Sequence, residues 1–177
     1  EGLLRDRGAV VGAVVRQGDR LESWPAGIVI GADGLHSVVS RALGGRWQEP
    51  LRRFGFVAHV TDVHLPDATA QMHVGTDCYL GLNRLAGGLT NVAVVASAQL
   101  ARQAAGNPER FWFDTLARIP AVAGRIPREG IVRPVLTTGP FANRARRVVA
   151  DGALLVGDAA DFFDPFTGEG IFSALRG

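Results

Sequence analysis

The sequence predicts an α/β fold whose parallel sheet is interrupted by an α+β insert. Two observations carry this. Near each end of the chain an apolar run without polar alternation, Gly27–Ile30 and Ala153–Val156, is followed by a glycine-containing turn and a helix-compatible stretch. Such runs usually form strands of a parallel sheet covered on both faces. Between them lie longer strand-like segments separated by turns, Arg53–Val63, Gln71–Leu82 and Leu89–Ala96, which read as neighbours in an antiparallel sheet.

Taken in order, AVVGAVV from Ala9 to Val15 is short, β-branched and bounded by glycine and charge, which suits a strand. Gln17, Gly18 and Asp19 supply turn chemistry, and the stretch from Leu21 through Pro25 leads into the apolar strand ending at Ile30. Gly31-Ala32-Asp33-Gly34 is a sharp turn, and HSVVSRAL after it can run as a short helix. Within the insert, Ala86-Gly87-Gly88 is a turn. Asn107-Pro108-Glu109 is a helix start, because Asn caps, Pro is tolerated in the first turn and Glu suits the positive end of the dipole. That helix carries Phe111, Trp112, Leu116 and Ile119 as core residues and stops at Pro120. The segment with Pro127, Pro134 and Pro140 is edge or loop. Asp151-Gly152 then turns into the strand Ala153–Val156, Gly157-Asp158-Ala159-Ala160 breaks it, and Thr167-Gly168-Glu169-Gly170 leads into the helix start IFSALR.

Composition bounds the function. The 177 residues, 47% apolar and 20% charged, suffice for one globular domain with a real core. Apolar runs end well short of the roughly 18 residues of a membrane span, and no charged-then-apolar leader opens the chain. Cys78 is the single cysteine, so an internal disulfide framework and a zinc finger are excluded and a cytoplasmic setting is expected. All 19 basic residues are Arg against 17 acids, a net charge of only +2. They are scattered without interleaved aromatics, so nucleic-acid binding is not expected. Asp158, Asp161, Asp164 and Glu169 lack the spacing of a calcium loop, and His36, His59, His64 and His73 are scattered. No metal site is expected. His59 and His73 would line the insert sheet if they point inward. The chain opens without Met inside a strand-like stretch and stops inside a helix-like one, which reads as an internal piece of a longer protein.

Two passages carry chemistry. In LLVGDAADFFDPFTGEGIF, Leu154 to Phe172, a buried strand brings Gly157 and Asp158 to the carboxyl edge of a sheet, where ligands bind in open α/β folds. A carboxylate there is an acceptor for sugar-like hydroxyls. Gly168 and Gly170 flank Glu169 just before a helix, so backbone N–H groups meet the positive end of the dipole and attract electron-rich oxygen atoms. Pro165 keeps the intervening loop from joining the helix. A polyol at Asp158 and an electron-poor ring at the glycine turn would both be served.

GDAADFFDPFTGEGI closely resembles the second FAD-binding motif of flavoprotein oxidoreductases with the glutathione-reductase-type fold. VIGADGLHSVVSRALG resembles the DG fingerprint of the same family, with Asp33, Gly34 and Ser37 matching. Where that fingerprint has Arg this chain has Ser40, and Arg41 stands one residue late. The resemblance implies a partial FAD-binding, Rossmann-like three-layer domain made of residues 1–50 and 146–177, with an antiparallel substrate domain, 51–145, inserted. It implies that Asp158 accepts from the flavin ribityl chain and that Gly168, Glu169 and Gly170 offer amides to the O2 side of the ring. Asp33, Gly34, Gly157, Pro165 and Ile171 belong to the same implied cofactor site, with Arg41 as the candidate for a phosphate. The family's first fingerprint, GxGxxG, does not occur here and would lie before Glu1. The piece by itself is therefore expected not to hold FAD tightly.

The resemblance makes the insert sheet the roof of the flavin. Alternation puts Tyr79, Gly81 and Asn83 on one face of CYLGLNR as candidate substrate contacts. Asp161 stands where aromatic hydroxylases usually carry His, and DPFTGEGI is closer to geranylgeranyl-reductase-like dehydrogenases than to class A monooxygenases. CYLGLNR keeps only the Tyr of the reductases' aromatic-rich segment. The expected function is an FAD-dependent oxidoreductase that takes reducing equivalents from NAD(P)H and reduces a carbon–carbon double bond of an apolar small molecule. The alternatives are a flavin monooxygenase acting on an aromatic or polyketide substrate and a non-catalytic remnant. No catalytic acid or base is singled out, and the oligomeric state is left open.

Overall fold

The structure, a computed structural model, describes residues 1–66 and 68–176. In chain order the described strands are β1 (Gly2–Asp6), β2 (Ala9–Gln17), β3 (Arg20–Pro25), β4 (Val29–Gly31), β5 (Arg46–Gln48), β6 (Arg53–Val60), β7 (Ala70–Val74), β8 (Cys78–Arg84), β9 (Thr90–Ser97), β10 (Leu136–Thr138), β11 (Asn143–Ala145), β12 (Val149–Ala150), β13 (Ala153–Leu155) and β14 (Asp161–Phe162). The helices are α1 (Val38–Ala42), α2 (Ala98–Ala101), α3 (Pro108–Ala117) and α4 (Gly170–Arg176). The fold class is α/β with antiparallel sheets. The chain divides into two compact units, Glu1–Pro50 with Phe141–Gly177, and Leu51–Pro140.

In the first unit β4 and β13 pair in parallel, Val29 opposite Ala153 and Gly31 opposite Leu155, and β12 lies antiparallel on the other side of β13. Their core joins Val10, Leu43, Ala153, Leu155 and Ala159. Gly31 is where strand and helix meet most closely. A Cβ there would lie 2.8 Å from Val39 Cβ of α1 and 2.6 Å from Leu155 Cδ2, so any larger residue would force the layers apart. Only one face of this sheet is covered among the described residues. Ile28 and Ile30, expected to be buried, are 63% and 61% exposed, because α1 packs on the opposite face, that of Val29 and Gly31.

Two further segments pair differently from the sequence expectation. Leu21–Pro25 does not lead into the parallel strand. It lies in β3, which folds back antiparallel on β2 with Gln17 opposite Arg20. Residues 141–145, expected in the insert, belong to the first unit, because β11 pairs with β5 on one side and β14 on the other. Hydrogen bonds to two short strands outweigh the chain proximity of this segment to the insert.

The second unit is a five-stranded antiparallel sheet, ordered β10-β6-β9-β8-β7, with α3 packed against it. Strand alternation sends Phe56, Ala58, Val60, Leu80, Leu82, Val92 and Val94 to the helix side, where they bury Phe111, Trp112 and Leu116. The rings of Phe56 and Phe111 sit 4.7 Å apart, within the range of favourable aromatic pairs. β10, from the proline-containing segment, is an edge strand.

Asn107 caps α3, its side-chain oxygen accepting from Arg110 N at 2.8 Å, and Pro108 follows in the first turn. The helix ends at Ala117, with Arg118 as its C-cap, before Pro120 is reached. Replacing Asn107 by Ala is expected to cost about 1 kcal/mol and to lower the melting temperature by about 2–4 °C, whereas Asn107→Asp should keep the cap. A thermal melt that does not separate the Ala and Asp variants would refute this role. No helix among the described residues is long and apolar enough to cross a membrane.

Candidate functional site

β4 and β13 run parallel and therefore end at the same edge. Val156, just beyond β13, donates its amide to Gly31 O at 3.0 Å, which locks the two exits together. Asp33 follows one exit and Asp158 the other, so both motif aspartates emerge at the carboxyl edge of the parallel pair. Open α/β sheets bind their ligands there.

After β4 the chain turns at Gly34, whose φ of +75° lies in the left-handed region that an L side chain enters only at a cost. Ser37 N donates to Gly34 O at 3.0 Å, and Ser37 Oγ accepts from Ser40 N at 2.8 Å to cap α1. The Asp33 carboxylate accepts from Val38 N at 2.7 Å and more weakly from Val39 N at 3.4 Å. Asp33 thus secures the entry of α1. Partial burial works against its charge, but the Ser37 hydroxyl and the Val38 and Val39 amides outweigh it and hold the carboxyl below the usual carboxylate range. A depressed folded-state pKa stabilises the fold fully above the unfolded value of about 4 and loses that contribution as pH falls through the folded one. The stability gap between the wild type and Asp33→Asn is therefore expected to be constant near neutrality and to close as pH drops below about 4. Urea midpoints measured across this range check it, and a gap independent of pH would exclude the carboxylate as its cause.

After β13 the chain turns again at Gly157, with φ +56°. A Cβ here would lie 3.1 Å from Ala174 Cβ, so glycine is also what lets α4 pack on the turn. Asp158 is half-buried, and its carboxylate accepts no hydrogen bond among the described residues. The turn is held from behind by Arg46 of β5. Its Nη1 donates to Ala159 O at 2.9 Å, and its Nη2 donates to Asp158 O at 2.8 Å and to Asn143 O at 3.5 Å. Burial lowers the Arg46 pKa while Asp161, Asp158 and Asp33 oppose it. The field of both motif aspartates converges on this one guanidinium. Sequence reasoning missed Arg46, whose only signal was a lone cation directly after Gly44-Gly45.

Farther on, the Asp164 carboxylate accepts from Phe166 N at 2.9 Å. Pro165 opens a single 3-10 turn that closes at Gly168, whose φ is +72°. Glu169 O accepts from Ser173 N at 2.8 Å, which sets Glu169 immediately before α4. Gly168, Glu169 and Gly170 are all exposed, and a Cβ at either glycine would meet nothing within 4 Å. Their backbone is open to approach. Ile171 is 79% exposed on the first turn of α4. Arg41 is exposed in the last turn of α1, the end opposite the Asp33 carboxylate.

In the insert, Tyr79, Gly81 and Asn83 lie on the sheet face away from α3, opposite in sense to Leu80 and Leu82. The Arg53 guanidinium stands 5.6 Å from the Tyr79 ring centroid. Asn91 Nδ2 donates to Asn83 Oδ1 at 3.2 Å. His59 faces Asn91, which faces Asn83, and Arg133 Nη2 reaches His59 Nε2 at 3.2 Å. A polar row therefore crosses this face beside the small residues Gly81 and Ala93. His73 instead turns to the α3 side, with Nε2 buried and no hydrogen-bond partner among the described residues. Burial, then Asp77, pushes the Cys78 thiol up, with Arg118 opposing, which disfavours a reactive thiolate. No cluster of three or more His, Cys, Asp or Glu among the described residues could hold a metal ion.

Residues 1–176 match the family described as FAD binding domain. The chain belongs to this family. The digeranylgeranylglycerophospholipid reductase of Methanospirillum hungatei is 30% identical over 184 residues, covering 97% of this chain and 42% of the reductase. A myxobacterial chondrochloren halogenase, described as a variant of the FAD-dependent halogenases, superposes with a TM-score of 0.89 at 20% identity over 99% of this chain and 43% of its own. A geranylgeranyl bacteriochlorophyll reductase-like protein of Thermoplasma acidophilum gives 0.76 at 21% identity over 99% of this chain and 44% of its own. These two share its fold, and the chain spans less than half the length of the curated reductase it matches. In this FAD-binding-domain chain the donor set fits part of the cofactor. Asp158 is a half-buried acceptor without a donor among the described residues, suited to a polyol, and the bare backbone at Gly168–Gly170 can approach a ring edge.

Proposed function

We propose that the chain is the flavin-contacting and substrate-contacting portion of an FAD-dependent oxidoreductase that reduces a carbon–carbon double bond of an apolar small molecule with NAD(P)H. The observation that carries this reading is the Asp158 carboxylate, half-buried at the carboxyl edge of the β4/β13 pair and accepting no hydrogen bond among the described residues. Likeness along nearly the whole chain to a reductase of isoprenoid lipids supports the reaction class. When bound, FAD would supply hydride-transfer chemistry between a nicotinamide and carbon.

The residues of this chain bind and orient. Asp158 would accept from the ribityl hydroxyls, and Gly168, Glu169 and Gly170 would offer amides to the O2 side of the ring, where they would favour negative charge. Asp33, Gly34, Gly157, Pro165 and Ile171 hold the backbone around that site through the two turns and the start of α4. Arg41, exposed in the last turn of α1, would meet a phosphate. The flanking segments thus serve the cofactor and the insert serves the substrate, through the face bearing Tyr79, Gly81 and Asn83. A cytoplasmic setting fits the single half-buried Cys78.

The test is the visible spectrum of the full-length protein during NADPH addition in air, with isoprenoid and aromatic compounds in turn. A flavin band that bleaches, with isoprenoid double bonds consumed and no coupled oxygen uptake, is the expected result. Oxygen uptake that depends on an aromatic substrate would replace the reductase reading by a hydroxylase. Absence of flavin after reconstitution with FAD would overturn the cofactor site itself.

A further inference from the structure

The insert contains a cleft that the proposed reaction does not use. Phe54 and Phe56 of β6 alternate with Arg53 and Gly55, so they lie on the α3 side of the sheet, away from Tyr79 and Gly81. Together with Ala98 and Ala101 of α2, Ala104 and Pro108, they line a space of about 460 Å³, a size typical of small-molecule sites. Alanines on one wall and phenyl rings on the other give it an apolar interior. Ala105, Thr137 and two guanidiniums, Arg52 and Arg102, complete the lining, and no carboxylate contributes to it. Both arginines are exposed, and neither has a hydrogen bond or ion pair from its side chain among the described residues.

An apolar trough with two uncompensated cations suits a molecule that is apolar along its length and anionic at one end. We propose that this cleft binds a long-chain carboxylate, its chain against Phe54, Phe56, Ala98 and Ala101 and its head held by Arg52 and Arg102. Guanidinium–carboxylate hydrogen bonds are charge-assisted and geometrically matched. The methylene chain gains what any apolar surface gains on leaving water. Neither contribution involves the flavin, so this site stands whether or not the reductase reading does.

The experiment is calorimetric titration of the full-length protein with dodecanoate below its micellar range, with dodecanol and acetate as comparisons. Dodecanoate should saturate at one per chain, dodecanol should bind about tenfold more weakly or worse, and acetate should not bind measurably. The double variant Arg52→Ala, Arg102→Ala should weaken dodecanoate by about tenfold and leave dodecanol unchanged. Ala101→Leu, which narrows the trough, should weaken both long-chain compounds, with an unchanged melting temperature showing that the fold persists. Equal affinity for dodecanoate and dodecanol, or a dodecanoate affinity indifferent to the arginine pair, would overturn the proposal.

Discussion

Replacing Arg46 by Met is expected to lower the stability of the protein by about 3 kcal/mol, because hydrogen bonds from a charged donor contribute about 1.5–3 kcal/mol each and this side chain makes two short ones. The arginine joins β5 to the carbonyls of Asp158 and Ala159 and, at longer range, Asn143. Its loss leaves these carbonyls without their charged donor. The methionine preserves part of the aliphatic packing, so the effect isolates the guanidinium. For a chain of this size the melting temperature should fall by about 6–12 °C. Arg46→Lys should recover only part of this, since an ammonium cannot present the planar fork that spans neighbouring carbonyls. Differential scanning calorimetry without flavin decides the matter, and a lysine variant as stable as the wild type would show that charge alone suffices.

Asp158→Ala should behave in the opposite manner. Its carboxylate accepts no hydrogen bond among the described residues, so the flavin-free protein should melt within about 0.5 kcal/mol of the wild type, as expected for changes away from structural contacts. Flavin affinity should fall about 10- to 100-fold, the equivalent of losing one charge-assisted hydrogen bond. Asp158→Asn keeps one acceptor oxygen and should lie between the two. Fluorescence titration of the full-length apoprotein with FAD measures this directly. A large loss of stability with unchanged flavin affinity would make Asp158 a structural residue and remove it from the site. The pair of variants therefore separates a group that builds the turn from one that the turn presents.

Much of this was legible in the sequence because it depends on local chemistry. Asn107-Pro108 announces a helix start through a side chain that reaches only three residues ahead, and α3 begins at Pro108. Strand alternation in CYLGLNR depends only on the pleat, and it separates Leu80 and Leu82 from Tyr79 and Gly81. The turns at Gly34 and Gly157 need backbone angles that glycine enters most cheaply, so the residue type itself marks the place. What escaped was contact between distant parts of the chain. Arg46 meets carbonyls more than 90 residues away, a separation over which no periodicity carries information. Arg41, close to the Asp33 motif in sequence, lies at the end of α1 opposite the Asp33 carboxylate.

By itself the sequence determined the alternation of parallel-strand ends with an antiparallel insert, and the two turns that carry Asp33 and Asp158. These follow from hydrophobic runs, glycine positions and capping residues, all properties of neighbouring residues. Only the tertiary structure decided that Arg20–Pro25 folds back on β2 and that residues 141–145 join β5 and β14. It also decided that Ile28 and Ile30 remain open and that Arg46 holds the Asp158 turn. Those outcomes depend on which of several possible hydrogen-bonding partners a segment finds. That competition is settled by the geometry of the whole chain, since short strands with similar composition carry no mark of the partner they will meet.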